Sequence, residues 1–166
     1  MGAEGLKTWT EKEFDSLCWH DNRIQGIGFV TPKEGYDNEF FLIIDHILEW
    51  IPTPEGRFRF AVAPACISFR DAAKIVIEAA LGYREHLTID RIEREEISTE
   101  AQRRLDYRVF RWTIFLQSLD RPNSRIVLES PGFLQELMKP PVVQDSQWLD
   151  AEENTKPTEG SSDSAR

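Results

Sequence analysis

Two long apolar runs, Phe40 to Ile51 and Phe58 to Phe69, flank the segment Pro52-Thr53-Pro54-Glu55-Gly56. The first, FFLIIDHILEWI, is aromatic and β-branched and ends at a Pro/Gly turn, which predicts a strand. Alternation then places Phe40, Leu42, Ile44, His46, Leu48 and Trp50 on one face. Phe41, Ile43, Asp45, Ile47, Glu49 and Ile51 take the other. Both faces are mostly apolar, so the pattern predicts a central strand covered on both sides. The second run predicts its partner strand. Pro64 cannot donate to a ladder, so Ala63-Pro64-Ala65 reads as a bulge or an edge position.

The remaining pattern is strand-rich. Thr10 and Glu13 have capping-box spacing, which predicts a short helix from about Glu11 to Trp19. Trp19-His20-Asp21-Asn22 reads as a turn, because Asp and Asn side chains bond nearby backbone. Arg23 to Thr31 is a strand in which Gly26 and Gly28 leave room for a close neighbour, either the helix or an aromatic ring. A loop follows, from Pro32 to Asn38. Asp71 to Gly82 mixes alanines with Lys74-Ile75-Val76-Ile77-Glu78; the β-branched core of the segment favours strand. Leu87 to Ile97 is charge-rich and reads as an exposed edge strand. Ser98 to Arg104 is a helical turn or a loop.

Asp106 to Leu119 is a clear strand with Phe110, Trp112, Ile114 and Leu116 on its core face. Pro122-Asn123 is a hairpin turn before the last strand, Arg125 to Ser130. Phe133 to Met138 reads as one short turn of helix. The expected architecture is mainly β: six or seven mostly antiparallel strands, curled into a sandwich or a partly closed barrel. The domain spans 1–143. An acidic tail, 144–166, follows Pro140-Pro141; Trp148 and Leu149 are able to dock, and the stretch beyond Asp150 is too polar to order.

Charge narrows the partners. The 166 residues carry a formal net charge of −9. That argues against gripping nucleic-acid phosphates. Acidity mainly serves solubility, and secondarily suits a basic protein partner. Cys18 and Cys66 cannot make a disulfide framework and read as buried free thiols in a reducing cytoplasm. No run approaches the ~20 apolar residues of a membrane span, and the first residues lack a signal core. No phosphate-binding, zinc-protease or nucleophile-elbow motif is present, so no cofactor is expected.

The polar residues inside apolar runs are the candidate chemistry: His20, Asp21, Asp45, His46 and Glu49, with Trp19 and Trp50 beside them. His and carboxylates can ligate divalent metals. Strand alternation, however, separates His46 from Asp45 and Glu49, so no metal site is assigned. Asp45 and Glu49 would lie roughly 13 Å apart on a strand, too far for paired glycosidase carboxylates. The plainer reading pairs Asp45 or Glu49 with Arg23, Arg59 or Arg111.

The motifs Trp19-His20-Asp21-Asn22, Asp45 with Leu48-Glu49-Trp50, Phe58-Arg59-Phe60, Val62-Ala63-Pro64-Ala65, Ile92-Glu93-Arg94-Glu95, Arg111-Trp112-Thr113-Ile114, Gly132-Phe133 with Gln135-Glu136-Leu137, and Pro141-Val142-Val143 resemble a family of uncharacterised bacterial proteins. The likeness runs from about Trp19 to Val143. It departs at Arg70, where the family favours His, and at Pro131, where a small polar residue is usual. The resemblance implies a bacterial, soluble, single-domain protein and no activity. The expected function is non-enzymatic protein binding, of which a toxin-immunity protein is one version. The alternative is a ligand-binding or hydrolytic barrel with Trp19, His20, Trp50 and Trp112 around its mouth. A third option is oligomerisation through an unprotected edge strand.

Overall fold

A computed structural model describes residues 6–31, 38–80, 86–118 and 123–150. The expected loop from Pro32, the Pro122 half of the hairpin turn and the tail beyond Asp150 lie outside these residues. Among the described residues, ten strands form one antiparallel sheet that does not close. They are β1 (Thr8–Thr10), β2 (Arg23–Val30), β3 (Glu39–Pro52), β4 (Phe58–Phe69), β5 (Ala73–Glu78), β6 (Thr88–Glu96), β7 (Phe110–Gln117), β8 (Arg125–Ser130), β9 (Leu134–Leu137) and β10 (Val142–Gln144). The order is β1-β9-β4-β3-β2-β6-β7-β8-β5, and β10 pairs with β4 beyond the end of β9.

The sheet has two halves that meet at a narrow junction. β2 and β6 pair only at Arg23 and Thr88, supported by backbone bonds such as Asp21 N–H to Ile89 O at 2.9 Å. The sheet folds over there, and its two inner faces pack together. Phe40, Leu42, Ile44, Ile67 and Phe69 from one half meet Ile89, Trp112, Ile114, Ile126 and Leu128 from the other. The Phe69 and Trp112 rings are 5.7 Å apart although their strands are not neighbours. The alternating pattern predicted this inner face of β3, since Phe40, Leu42 and Ile44 are fully buried.

Trp50 departs from that alternation. A bulge between Ile47 and Glu49 inserts Leu48, and an extra residue moves every later side chain to the opposite face. Trp50 therefore joins Ile47, Phe60 and Val62 on the outer face instead of sharing the face of His46. Gly28 sits where the pattern placed it, under a ring: a Cβ there would lie 2.2 Å from Phe41 Cζ. Pro64 is neither at a bulge nor on an edge strand. Its carbonyl accepts the Met138 N–H at 2.7 Å. In an extended chain the missing N–H points the same way, into the break between β9 and β10, where no ladder partner is required.

Four other expectations need correction. The strand count rises from six or seven to ten because β1, β9 and β10 are only three or four residues long, too short to show a period. Phe133 to Met138 contains β9 and no helical turn; Gln135 and Leu137 point inward on alternate positions. β6 is only partly the expected edge: it joins β2 at Thr88, while its later residues pair with β7 alone. A bulge after Ile89 scrambles its alternation while leaving Ile89 and Ile92 inside. Cys18 is exposed, because Phe14 and Leu17 take the inward positions beside it. The N-terminal helix is a 3₁₀ helix, Glu11–Ser16, with the predicted Thr10/Glu13 capping box. A second capping box, Thr99 and Gln102, opens α1 (Glu100–Arg104).

Beyond β10 the chain continues across the outer face of the sheet as a strap, 145–150. The strap belongs to the folded part although it falls within the stretch expected as tail. No helix among the described residues is long and apolar enough to cross a membrane.

Candidate functional site

The strap explains Asp45. This carboxylate is fully buried on the outer face of β3, and four nitrogens from three residues bond it. Its cross-strand neighbour Arg23 approaches with Nε and Nη2, each at 2.8 Å. Gln25 Nε2 donates at 2.8 and 3.0 Å. The backbone N–H of Leu149 completes the shell at 3.3 Å. Arg23 Nη2 also donates to the Leu149 carbonyl at 2.7 Å. The Leu149 side chain fills a pit formed by Ile47, Phe60 and Val62. The strap is thus held by both polar groups of one residue and by its side chain. A buried charge this fully bonded is a structural clasp.

His46 faces the other way. Asn22 Oδ1 accepts the Ile47 N–H at 3.1 Å, which orients the Asn22 amide to donate to His46 Nδ1 at 2.9 Å. The proton of the neutral ring is therefore on Nε2. Burial, with Lys7 as a lesser contributor, pushes its pKa down to about 4. Trp19 is also inside. Its Nε1–H donates to Gln135 Oε1 at 2.8 Å, and its ring packs on Phe14 and Phe133. Glu49 is exposed and stands apart from Asp45.

His20 and Asp21 lie at the junction of the two halves. Asp21 adopts a left-handed backbone, φ 64°. Its Oδ1 accepts from Gln117 Nε2 at 2.7 Å, and its carbonyl accepts from Trp148 Nε1 at 3.3 Å. His20 Nδ1 donates to the Asp90 carbonyl at 3.1 Å, and its Nε2 is 3.5 Å from Asp21 Oδ1. A cleft of about 560 Å³ opens beside them, lined among others by His86, Thr88, Asp90, Arg91, Gln117 and Trp148. The Trp148 and His86 rings are 4.5 Å apart on its wall. Gln117 and Trp148 have no signal near His20 in the chain, since they arrive from about one hundred residues away.

The polar candidates therefore separate into a buried clasp, a buried neutral histidine and an exposed junction. Thr88 Oγ1 is committed to Gln117 at 3.0 Å. Among the described residues no three His, Cys, Asp or Glu side chains gather closely enough for a metal. The barrel mouth of the alternative reading is not assembled either: Trp19 and Trp112 belong to the core, and Trp50 lies at the far end of β3.

Trp50 stands on different ground. With Phe58 and Phe60 it forms an aromatic stack on the outer face of the β3–β4 hairpin. Trp50 meets Phe60 edge-on at 5.0 Å and Phe58 at 5.8 Å. Phe60 is buried, but Trp50 is 41% and Phe58 49% exposed. The hairpin turn is tightly bonded: Thr53 N–H bonds Arg57 O at 2.8 Å, Gly56 N–H bonds Thr53 O at 3.0 Å, and Gly56 supplies the positive φ of 73°. Arg59 beside the stack is tethered to Asp145 at 3.2 Å and to the Val143 carbonyl at 3.1 Å. The result is a rigid, solvent-facing aromatic edge.

Comparison with family models, with curated proteins and with solved structures finds no match to this chain.

Proposed function

We propose that the protein is a non-enzymatic protein-binding domain that engages its partner through the Trp50–Phe58 edge. The observation that carries this reading is the exposure of two large aromatics already locked in contact. Trp is among the residues enriched at interface hot spots. A fixed hairpin loses little entropy when a partner covers it. The net charge of −9 favours a basic partner surface, because complementary charge speeds association. An immunity-like role against a basic toxin in a bacterial cell is the concrete version.

The test is quantitative capture from a native lysate with the natural chain and with the Trp50→Ser/Phe58→Ser variant. The expected result is a stoichiometric protein retained by the first and lost with the second. Equal recovery by both would remove the hairpin from the reading. A second reading assigns small-ligand binding to the cleft beside His20 and Asp21. It is favoured by the cleft's volume, which lies within the usual 300–1,000 Å³ of ligand pockets. Thermal-shift screening, with a Trp148→Ala control, checks it.

A further inference from the structure

We infer that β5 is a self-association edge and that its partner is β5 of a second copy of this chain. Among the described residues the strand pairs only with β8, and it ends the sheet. Val76 is 51% and Ile77 42% exposed. Consecutive strand residues point to opposite faces, so the second half of β5 is open on both faces, while Ile75 packs against the core. An apolar edge strand left so is a template for another strand.

The chemistry of the strand selects the partner. Lys74-Ile75-Val76-Ile77-Glu78 is complementary to itself when two copies run antiparallel about Val76. Lys74 of each copy then stands opposite Glu78 of the other, Ile75 opposite Ile77, and Val76 opposite Val76. Such cross-strand pairs, opposite in charge or both β-branched, are the stabilising kind. The arrangement has a two-fold axis and closes on itself. The present partners of the two charges are Glu129, 3.0 Å from Lys74, and Arg125, 3.0 Å from Glu78. Lys74, Glu78 and Arg125 are solvent-exposed, so these pairs rearrange at little cost.

Two features keep the association finite. The backbone of Lys74 is left-handed, φ 49°, and the register with β8 breaks between Ala73 and Val76. The ladder therefore ends at Lys74, and each cross-copy Lys74–Glu78 pair is its outermost rung. The opposite edge of the sheet, β1, offers only Thr8, Trp9 and Thr10, a poor match for a head-to-tail chain. A small interface of this class is weak and concentration-dependent.

Sedimentation equilibrium of the full chain should show a monomer–dimer equilibrium that shifts to dimer as concentration rises. Val76→Cys, made with Cys18→Ser to remove the exposed native thiol, should give a disulfide-linked dimer on mild oxidation. Lys74→Glu sets a second carboxylate against Glu78 at both ends of the paired strands and should reduce dimer. Lys74→Glu with Glu78→Lys restores the cross-copy pairs, although both intramolecular pairs become repulsive, and should recover dimer. A monomer at every concentration overturns the inference. So does a double exchange that stays as monomeric as the single one. Trp50→Ser/Phe58→Ser should leave dimerisation unchanged, so the hairpin reading and this one fail separately.

Discussion

Asp45 and Trp50 lie five residues apart on β3, both on the outer face of the sheet, and their environments are inverted. The carboxylate is completely buried, while the indole is two-fifths exposed. Residue type alone would assign them the other way round. The difference is what lies over each. The strap brings a backbone N–H, an apolar side chain and the Arg23 bridge onto Asp45. Among the described residues it does not cover Trp50 and Phe58. The apolar stripe Ile47, Val62, Phe60, Trp50, Phe58 is thus covered over one half and open over the other. The covered half shows what the stripe binds: a bent segment that inserts an apolar side chain. The open half is where another protein can do the same.

The comparison breaks most sharply at Arg23. Arg23→Ala leaves Asp45 buried with its main counter-charge gone and is expected to cost about 3–5 kcal/mol. Urea denaturation at neutral pH measures it, and Trp148 fluorescence reports whether the strap lifts. Arg23→Lys should recover only part, because one amine cannot bridge the carboxylate and the Leu149 carbonyl together. The inner side of the same strand gives the next largest effect. His46 resists protonation down to about pH 4 in the folded chain, whereas the unfolded chain protonates near 6.5. Its folded pKa is depressed, so its contribution is complete above pH 6.5 and is lost as pH falls towards 4. The loss is about 3 kcal/mol at most. His46→Gln should flatten the stability profile across that window relative to the natural chain.

How much of this was legible follows the range of the interactions. The inner face of β3 could be read because alternation is local and holds from Phe40 to Ile44. It fails at Trp50 because one inserted residue, Leu48, carries no mark of its own in an apolar run. Asp45 in an apolar run demands a partner, and Arg23 is legible as a candidate because a buried charge needs a counter-charge. Gln25 and Leu149 are not legible in this way. Leu149 is 104 positions away in the chain, and only the fold brings it near. Trp148 and Leu149 were recognisable as residues able to dock, but nothing in their neighbours says where. β9 was missed for a related reason: Leu134–Leu137 is a strand because β4 and β1 flank it, not because four residues carry a period.

Leu149→Ala tests whether the strap's side chain, rather than its backbone bonds, divides the stripe. Removing a buried leucine usually costs 2–5 kcal/mol, and a peripheral segment that can settle into the gap belongs at the low end, about 2 kcal/mol. Amide exchange should show the strap opening more often while β3 and β7 stay protected.

The smallest expected effect sharpens the comparison most. Trp50→Ser/Phe58→Ser removes two side chains that are already about half wet, and the hairpin's backbone bonds do not depend on them. Stability should therefore fall by only about 1–2 kcal/mol, less than at Arg23. A loss comparable to that of Arg23→Ala, measured in the same urea titration, would mean that the two aromatics hold the hairpin together. The open half of the stripe would then be framework like the covered half. If instead the loss stays that small, two large aromatics are being held at the surface by a chain that gains little from them. Contact with something outside the monomer is then what their placement serves.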